Sequence, residues 1–268
     1  MANLSIMGIL NATPDSFFEG SRIVNQKAVD VAGRMLEDGA DILDIGGQST
    51  RPGAKLVSAE EETDRILPVI ENIVRCFPSV VISADTFYGS VAKRAVAAGA
   101  GMINDISAGE DDPEMLPFIA ACKVPYVAMH KQGKPQNMQD NPVYQNVTAD
   151  ILSYFEKKQD LFQSLGINNW IIDPGFGFGK TVAHNFEMLR NLGEFKKLGN
   201  PLLVGISRKS MIWKTLQTSA AGALNGTTAL HMAALIHGAD ILRVHDVKEA
   251  KECITLYKTM YATQSDRF

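Results

Sequence analysis

Gly39-Ala40-Asp41-Ile42-Leu43 recurs in altered form as Gly99-Ala100-Gly101-Met102-Ile103 and as Gly238-Ala239-Asp240-Ile241-Leu242. Each copy follows an amphipathic stretch and opens an apolar run. The glycine ends a helix, because it takes the left-handed backbone conformation at no steric cost. The apolar run behind it reads as a strand. A helix-to-strand joint used three times is the mark of a repeated β/α unit.

Working outward, apolar runs at 6–10, 41–45, 80–84, 101–104, 125–129, 170–173, 201–206 and 240–244 predict strands. Helical patterns fill 27–38, 58–76, 90–98, 113–121, 147–165, 183–192, 209–216, 223–237 and 247–261. Ser58 and Glu61 have the spacing of a reciprocal helix cap. Strands alternating with helices pair in parallel through crossovers, and several runs are apolar throughout, as strands buried on both faces are. Eight such units in 268 residues match a closed parallel (β/α)8 TIM barrel. A doubly wound open sheet is the alternative. No Ser/Pro-rich linker or shift in composition divides the chain, so one domain over 1–268 is expected.

The balance of 26 Lys+Arg against 30 Asp+Glu leaves a formal charge of −4. A chain of this kind has no general field for nucleic acid or anionic membrane, so any anion must be held by a few placed cations. Cys76, Cys122 and Cys253 lie far apart without zinc spacing, which suits reduced thiols and a cytoplasmic setting. The first ten residues lack the basic and apolar regions of a signal peptide. No apolar run is long enough to span a bilayer.

In a β/α barrel, residues at the C-terminal strand ends face the active-site mouth. Those ends read Asn11, then 46–51, Asp85, Asn104-Asp105, His130, Asp173, Ser207-Arg208-Lys209 and Arg243-Val244-His245. One polar strand end is usually a turn or cap; eight together describe a ligand site. Asp85, Asn104 and Asp173 suit the edge of a planar heterocycle rich in N–H groups. Arg51, Arg243 and His245 suit phosphate or diphosphate, and Arg243 and His245 share a strand face. Salt-bridging to nearby carboxylates is the bland reading of either arginine. Residues 175–181 look like a phosphate loop, but Pro174 stands where the first glycine is required. His184, His231 and His237 fall in helical stretches and read as packed or solvated.

Seven segments in chain order resemble the dihydropteroate synthase family over nearly the whole length. They are Met7-Gly-Ile-Leu-Asn-Ala-Thr-Pro-Asp-Ser-Phe17, Asp44-Ile-Gly-Gly-Gln-Ser-Thr-Arg-Pro-Gly53, Ser83-Ala-Asp-Thr86 and Ile103-Asn-Asp-Ile106. The others are Asp173-Pro-Gly-Phe-Gly-Phe-Gly-Lys180, Gly205-Ile-Ser-Arg-Lys-Ser210 and Arg243-Val-His-Asp-Val247. The resemblance implies condensation of a dihydropterin 6-hydroxymethyl diphosphate with 4-aminobenzoate, releasing diphosphate and forming 7,8-dihydropteroate. It assigns the pterin to Asp85, Asn104, Asp173 and Lys209, with Met129 and Gly205 lining the slot. Arg51, Arg243 and His245 would take the diphosphate with Thr50, and Asn11 would ligate Mg2+. Phe178, Lys209 and Ser210 would frame aminobenzoate, with Pro52 over it. Asp85, Lys209, Arg243 and His245 carry the implied catalysis, and a homodimer through the late helices is also implied.

The chemistry expected is SN1-like: charge neutralisation releases diphosphate, and the weakly basic arylamine then attacks the pterin methylene cation. No strong general base is required. Two departures stand out: Glu19 ends a first loop that usually carries Asp, and Gln48 stands where Glu is common. The sequence also starts at the first strand without the family's lead-in hairpin. A pterin-binding methyltransferase domain and a catalytically silent paralogue are the alternative readings. The Ser-Thr-Arg-Pro-Gly and Ser-Arg-Lys-Ser segments argue against both.

Overall fold

A computed structural model describes residues 4–12, 21–48, 56–133 and 142–262. Its strands are β1 (Ser5–Asn11), β2 (Ile42–Gly46), β3 (Val81–Asp85), β4 (Met102–Asp105), β5 (Tyr126–Met129), β6 (Trp170–Asp173), β7 (Leu203–Val204) and β8 (Ile241–Val244). They form one sheet in the order β6-β5-β4-β3-β2-β1-β8-β7, with every pairing parallel. The two ends of that order meet at a single bridge, Ile172 to Leu202. The sheet is therefore the nearly closed barrel of a (β/α)8 fold.

The helices are α1 (Ser21–Glu37), α2 (Ala59–Cys76), α3 (Gly89–Ala97), α4 (Met115–Cys122), α5 (Val147–Ser164), α6 (Val182–Arg190), α7 (Ser210–Thr215), α8 (Leu224–Ile236) and α9 (Val247–Tyr261). Among the described residues, no helix is long and apolar enough to cross a membrane.

The three repeated joints share one geometry. Gly39, Gly99 and Gly238 have φ of +102°, +111° and +96°. In each, the glycine N–H bonds the carbonyl three residues back and the next alanine N–H the carbonyl five back: Gly39 to Leu36 with Ala40 to Met35, Gly99 to Val96 with Ala100 to Ala95, and Gly238 to Leu235 with Ala239 to Ala234. This paired closure satisfies the last helical carbonyls and turns the chain into the strand. The aspartates of two copies have matching work: Asp41 Oδ2 accepts Ile6 N–H and Asp240 Oδ2 accepts Leu202 N–H, each at 2.8 Å. Each carboxylate thereby starts the neighbouring strand.

Period-two alternation sorts the strand residues into two cores. Leu43, Ile45, Ile82, Ala84, Ile103, Ala128, Ile172 and Leu242 face outward and pack with the helices. Met7, Ile42, Met102, Val127, Ile171, Leu203 and Ile241 form a separate cluster inside the barrel, an apolar floor. The next inward positions toward the C-terminal ends are Asp44, Ser83, Asn104, Asp173 and Arg243.

Some boundaries move. The strand expected over 201–206 shortens to Leu203–Val204, with Leu202 making only the isolated bridge to Ile172, because Pro201 has no N–H to donate and the segment from Gly205 leaves the ladder to enter the mouth. The first helix begins at Ser21, ahead of the expected 27. Ser58 caps α2 through Glu61 N–H at 3.1 Å, but the Glu61 side chain pairs with Arg65, so the cap is not reciprocal. The reciprocal box is at Thr181 and His184, at the start of α6.

Candidate active site

Asn11, Asp85, Met129 and Asp173 are the last residues of β1, β3, β5 and β6; Asn104 and Arg243 lie one position inside the ends of β4 and β8. Gly205 and Lys209 follow β7, and His245 follows β8. One end of the barrel thus collects all of them. Thr50, Arg51, Pro52 and Glu19 lie outside the described residues. The root of the 49–55 stretch is pinned, however: Gln48 Oε1 accepts Val57 N–H at 3.0 Å, Tyr88 Oη donates to the Val57 carbonyl at 2.8 Å, and Arg65 to that of Gly47 at 2.7 Å. Gln48 needs only an acceptor oxygen there, so its replacement of Glu is isosteric in function.

Arg243 is the hub. Its Nε donates to Asp44 Oδ2 and its terminal nitrogen to Asp85 Oδ2, both at 2.6 Å. Asn104 Nδ2 donates to the same Asp44 oxygen at 3.0 Å. Arg243 is already partnered by two carboxylates, which outweigh the opposing effect of burial and hold its charge. His245 is neutral: burial lowers its pKa to about 4, and Arg243 pushes in the same direction. Its Nδ1 lies 3.1 Å from Ser207 Oγ, so it contributes a hydrogen-bonding ring. Arg208 turns away from the mouth, donating twice to Asp246 at 2.8 Å.

The carboxyls of this layer are poorly solvated. Burial raises Asp85 to about 7, against the attraction of Arg243 and with the repulsion of Asp44. Burial also raises Asp173, against Lys209. Asp44 Oδ1 and Ser83 Oγ are buried without a hydrogen-bond partner among the described residues. Unpaired polar atoms above an apolar floor are costly unless a ligand or water serves them.

Lys209 occupies the other side. Its Nζ donates to the Phe176 carbonyl and sits 4.8 Å from the centroid of the Phe178 ring. Burial lowers its pKa to about 8, opposed by Asp173. A Cβ on Gly205 would lie 3.9 Å from both Lys209 Nζ and Arg243 Cβ, so the glycine keeps open the gap between the two cations. Phe178 and Met129 pack with Phe87 and Ile106 as an apolar wall. Ser210 opens α7 directly after Lys209.

The Phe178 loop depends on glycine. A Cβ on Gly175, where φ is +74°, would sit 1.8 Å from the His130 carbonyl oxygen. Gly175→Ala is expected to lose more than ~3 kcal/mol of stability, from backbone strain and collision together. Denaturant titration would read this as a much lower midpoint, and a midpoint near the parent's would refute it.

Asp44 lies inside an apolar run, so the pattern of polar strand ends does not single it out; its signal in the sequence is an acid between Leu43 and Ile45. Ser83, Phe87 and Ile106 fall outside that pattern too.

The family described as pterin binding enzymes matches residues 7–245. Dihydropteroate synthase of Escherichia coli is 42% identical over 269 residues, covering 98% of this chain and 94% of that protein. The chain belongs to the dihydropteroate synthase family. Among solved structures, the Yersinia pestis dihydropteroate synthase in a sulfonamide drug complex has 41% identity and a TM-score of 0.90, covering 97% of this chain and 95% of that one. The Xanthomonas albilineans enzyme in complex with 7,8-dihydropteroate has 38% identity and a TM-score of 0.87, with the same coverages. Membership makes the chain an enzyme of folate biosynthesis. The methyltransferase and silent-paralogue readings do not describe it.

Proposed function

We propose that the chain condenses a dihydropterin methyl diphosphate with 4-aminobenzoate in this mouth. The observation that carries the proposal is the layer of Asp44, Asp85, Asn104 and Asp173 above the apolar floor, with Asp44 Oδ1 and Ser83 Oγ unserved among the described residues. A pterin edge carries several N–H donors, which suit carboxylate and amide oxygens. Lys209 and Gly205 would border it, with Met129 beneath.

Arg243 and His245 would take the departing diphosphate, and the family resemblance adds Arg51 and Thr50 from outside the described residues. The carboxylates remaining would stabilise the cationic pterin methylene, and the arylamine would enter past Phe178, Lys209 and Ser210, with Pro52 added by the family resemblance alone. Positioning and electrostatics carry such a reaction without a strong base.

Asn11, half-buried at the end of β1, offers one neutral amide oxygen. Among the described residues no group of three His, Cys, Asp or Glu could hold a metal. That donor set fits Mg2+ brought in on the diphosphate, since Mg2+ keeps waters and substrate phosphates as ligands, and does not fit a protein cage. Mg2+ bound there supplies charge neutralisation on the leaving group. The reading extends to one pterin-binding domain over 1–268 acting in the cytoplasm as a homodimer.

Incubation with dihydropterin diphosphate, 4-aminobenzoate and Mg2+ should release inorganic pyrophosphate, and its absence would sink the reading. A sulfonamide should raise the KM for aminobenzoate without raising that for the pterin substrate. Competition against the pterin instead would place the arylamine elsewhere.

A further inference from the structure

Lys180 ends the glycine-rich segment that fails phosphate-loop spacing, and it is 2% exposed. Its Nζ donates to the carbonyls of Gly175 (2.9 Å) and Phe178 (3.0 Å) and lies 3.0 Å from His130 Nδ1, with the His130 carbonyl at 3.4 Å. Burial pulls the Lys180 pKa well below the usual lysine range, against the attraction of Asp173, and its N–H groups can donate to the carbonyls in either protonation state. Burial, helped by the charge of Lys180, drives the His130 pKa to about 2.

Gly175, Gly177 and Gly179 have φ of +74°, +81° and +65°. A phosphate loop wraps backbone N–H groups around an anion. Here the polarity is inverted: backbone carbonyls surround an N–H donor that the chain itself supplies.

The segment held this way carries two groups into the mouth. The Phe176 carbonyl accepts from Lys209, and the Phe178 ring lies against the same ammonium. The Asp173 backbone is held by the β5–β6 ladder opposite Met129, although its Oδ1 also accepts the Gly175 N–H at 2.8 Å. Phe178 lies outside any strand; its N–H bonds the Gly175 carbonyl at 3.1 Å, and its own carbonyl bonds Lys180. Loss of that donor should therefore displace Phe178 while leaving Asp173 in register.

We propose that Lys180 is a positioning residue for the aminobenzoate half of the site, its Nζ holding the 175–178 backbone so that the Phe178 ring meets Lys209. This rests on the reading of Phe178 and Lys209 as substrate contacts.

Steady-state kinetics of Lys180→Met test it. The KM for 4-aminobenzoate should rise about tenfold, and that for dihydropterin diphosphate less than about threefold. In a Phe178→Ala background the same substitution should add less than about twofold, because Lys180 acts through Phe178. Unchanged kinetics, equal rises in both KM values, or full additivity in the double variant would overturn the proposal. Should Lys180→Met fail to fold, Lys180→Gln keeps N–H donors and carries the same comparison; if that too fails to fold, the role is purely structural and the proposal falls. The unsubstituted chain in the same assay separates the two readings: no pyrophosphate from it would overturn the proposed function instead.

Discussion

Arg243→Ala should lose about 3 kcal/mol of folding stability as well as activity, because the guanidinium serves the fold before it serves any substrate. Its side chain is 20% exposed, and its partners Asp44 and Asp85 are 0% and 13% exposed. Removing it leaves two neighbouring carboxyls buried with no counter-charge. Such a defect costs more than an exposed ion pair is worth.

The pH dependence identifies the cause. Asp85 is already raised to about 7 by burial despite Arg243, and without Arg243 the rise is larger. A carboxyl with a raised folded pKa binds more protons folded than unfolded. Its destabilising effect is absent below the unfolded value and grows as pH rises through the window up to the folded value. The deficit of Arg243→Ala should therefore shrink between pH 8 and pH 5, read as converging urea midpoints. A variant with the parent's midpoint at every pH and only a higher KM for the diphosphate substrate would make Arg243 a free anion ligand. Arg243→Lys should fall between, since a single ammonium cannot reproduce the two-pronged fork.

Elements legible in the sequence are those whose cause is local. Gly39, Gly99 and Gly238 end helices through their own backbone freedom, so the repeated unit and the barrel could be read before any packing was known. Asn11, Asp85, Asn104, Asp173 and Arg243 end apolar runs, and the fold brings them to one mouth because strand ends in a parallel barrel coincide. What stayed hidden depends on distant partners. Asp44 acquires its role from Arg243, 199 positions away. The neutrality of His245 comes from burial and from that same arginine. Lys180 belongs to a motif whose spacing fails for phosphate, and only the inward carbonyls of Gly175 and Phe178 reveal its work. Helix capping misled for a related reason: the Glu61 side chain had a better partner in Arg65.

The second large effect is expected at Lys209, where function and stability should separate. Its ammonium lies between Asp173, the Phe176 carbonyl and the Phe178 ring, so one charge borders both proposed substrates. Lys209→Met keeps most of the stem volume and deletes the charge. Loss of a hydrogen-bonded charge in such a site costs about 2–5 kcal/mol of binding, so kcat/KM should fall on the order of 10³-fold, with both KM values rising. Folding should respond in the opposite sense. Burial lowers the Lys209 pKa to about 8, so the unfolded chain binds the proton more tightly than the folded one. Lys209 thus weakens the fold below pH 8, and that penalty fades as pH rises from 8 toward the unfolded value. At pH 7 the methionine variant should melt at or above the parent's temperature, and the advantage should narrow by pH 9.5. The parent's activity should decline above pH 8 as the ammonium deprotonates, whereas the residual activity of the variant should lack that limb. A variant that loses activity and melting temperature together, with the alkaline limb intact, would mean that Lys209 holds the loop and does not bear the charge the reaction uses.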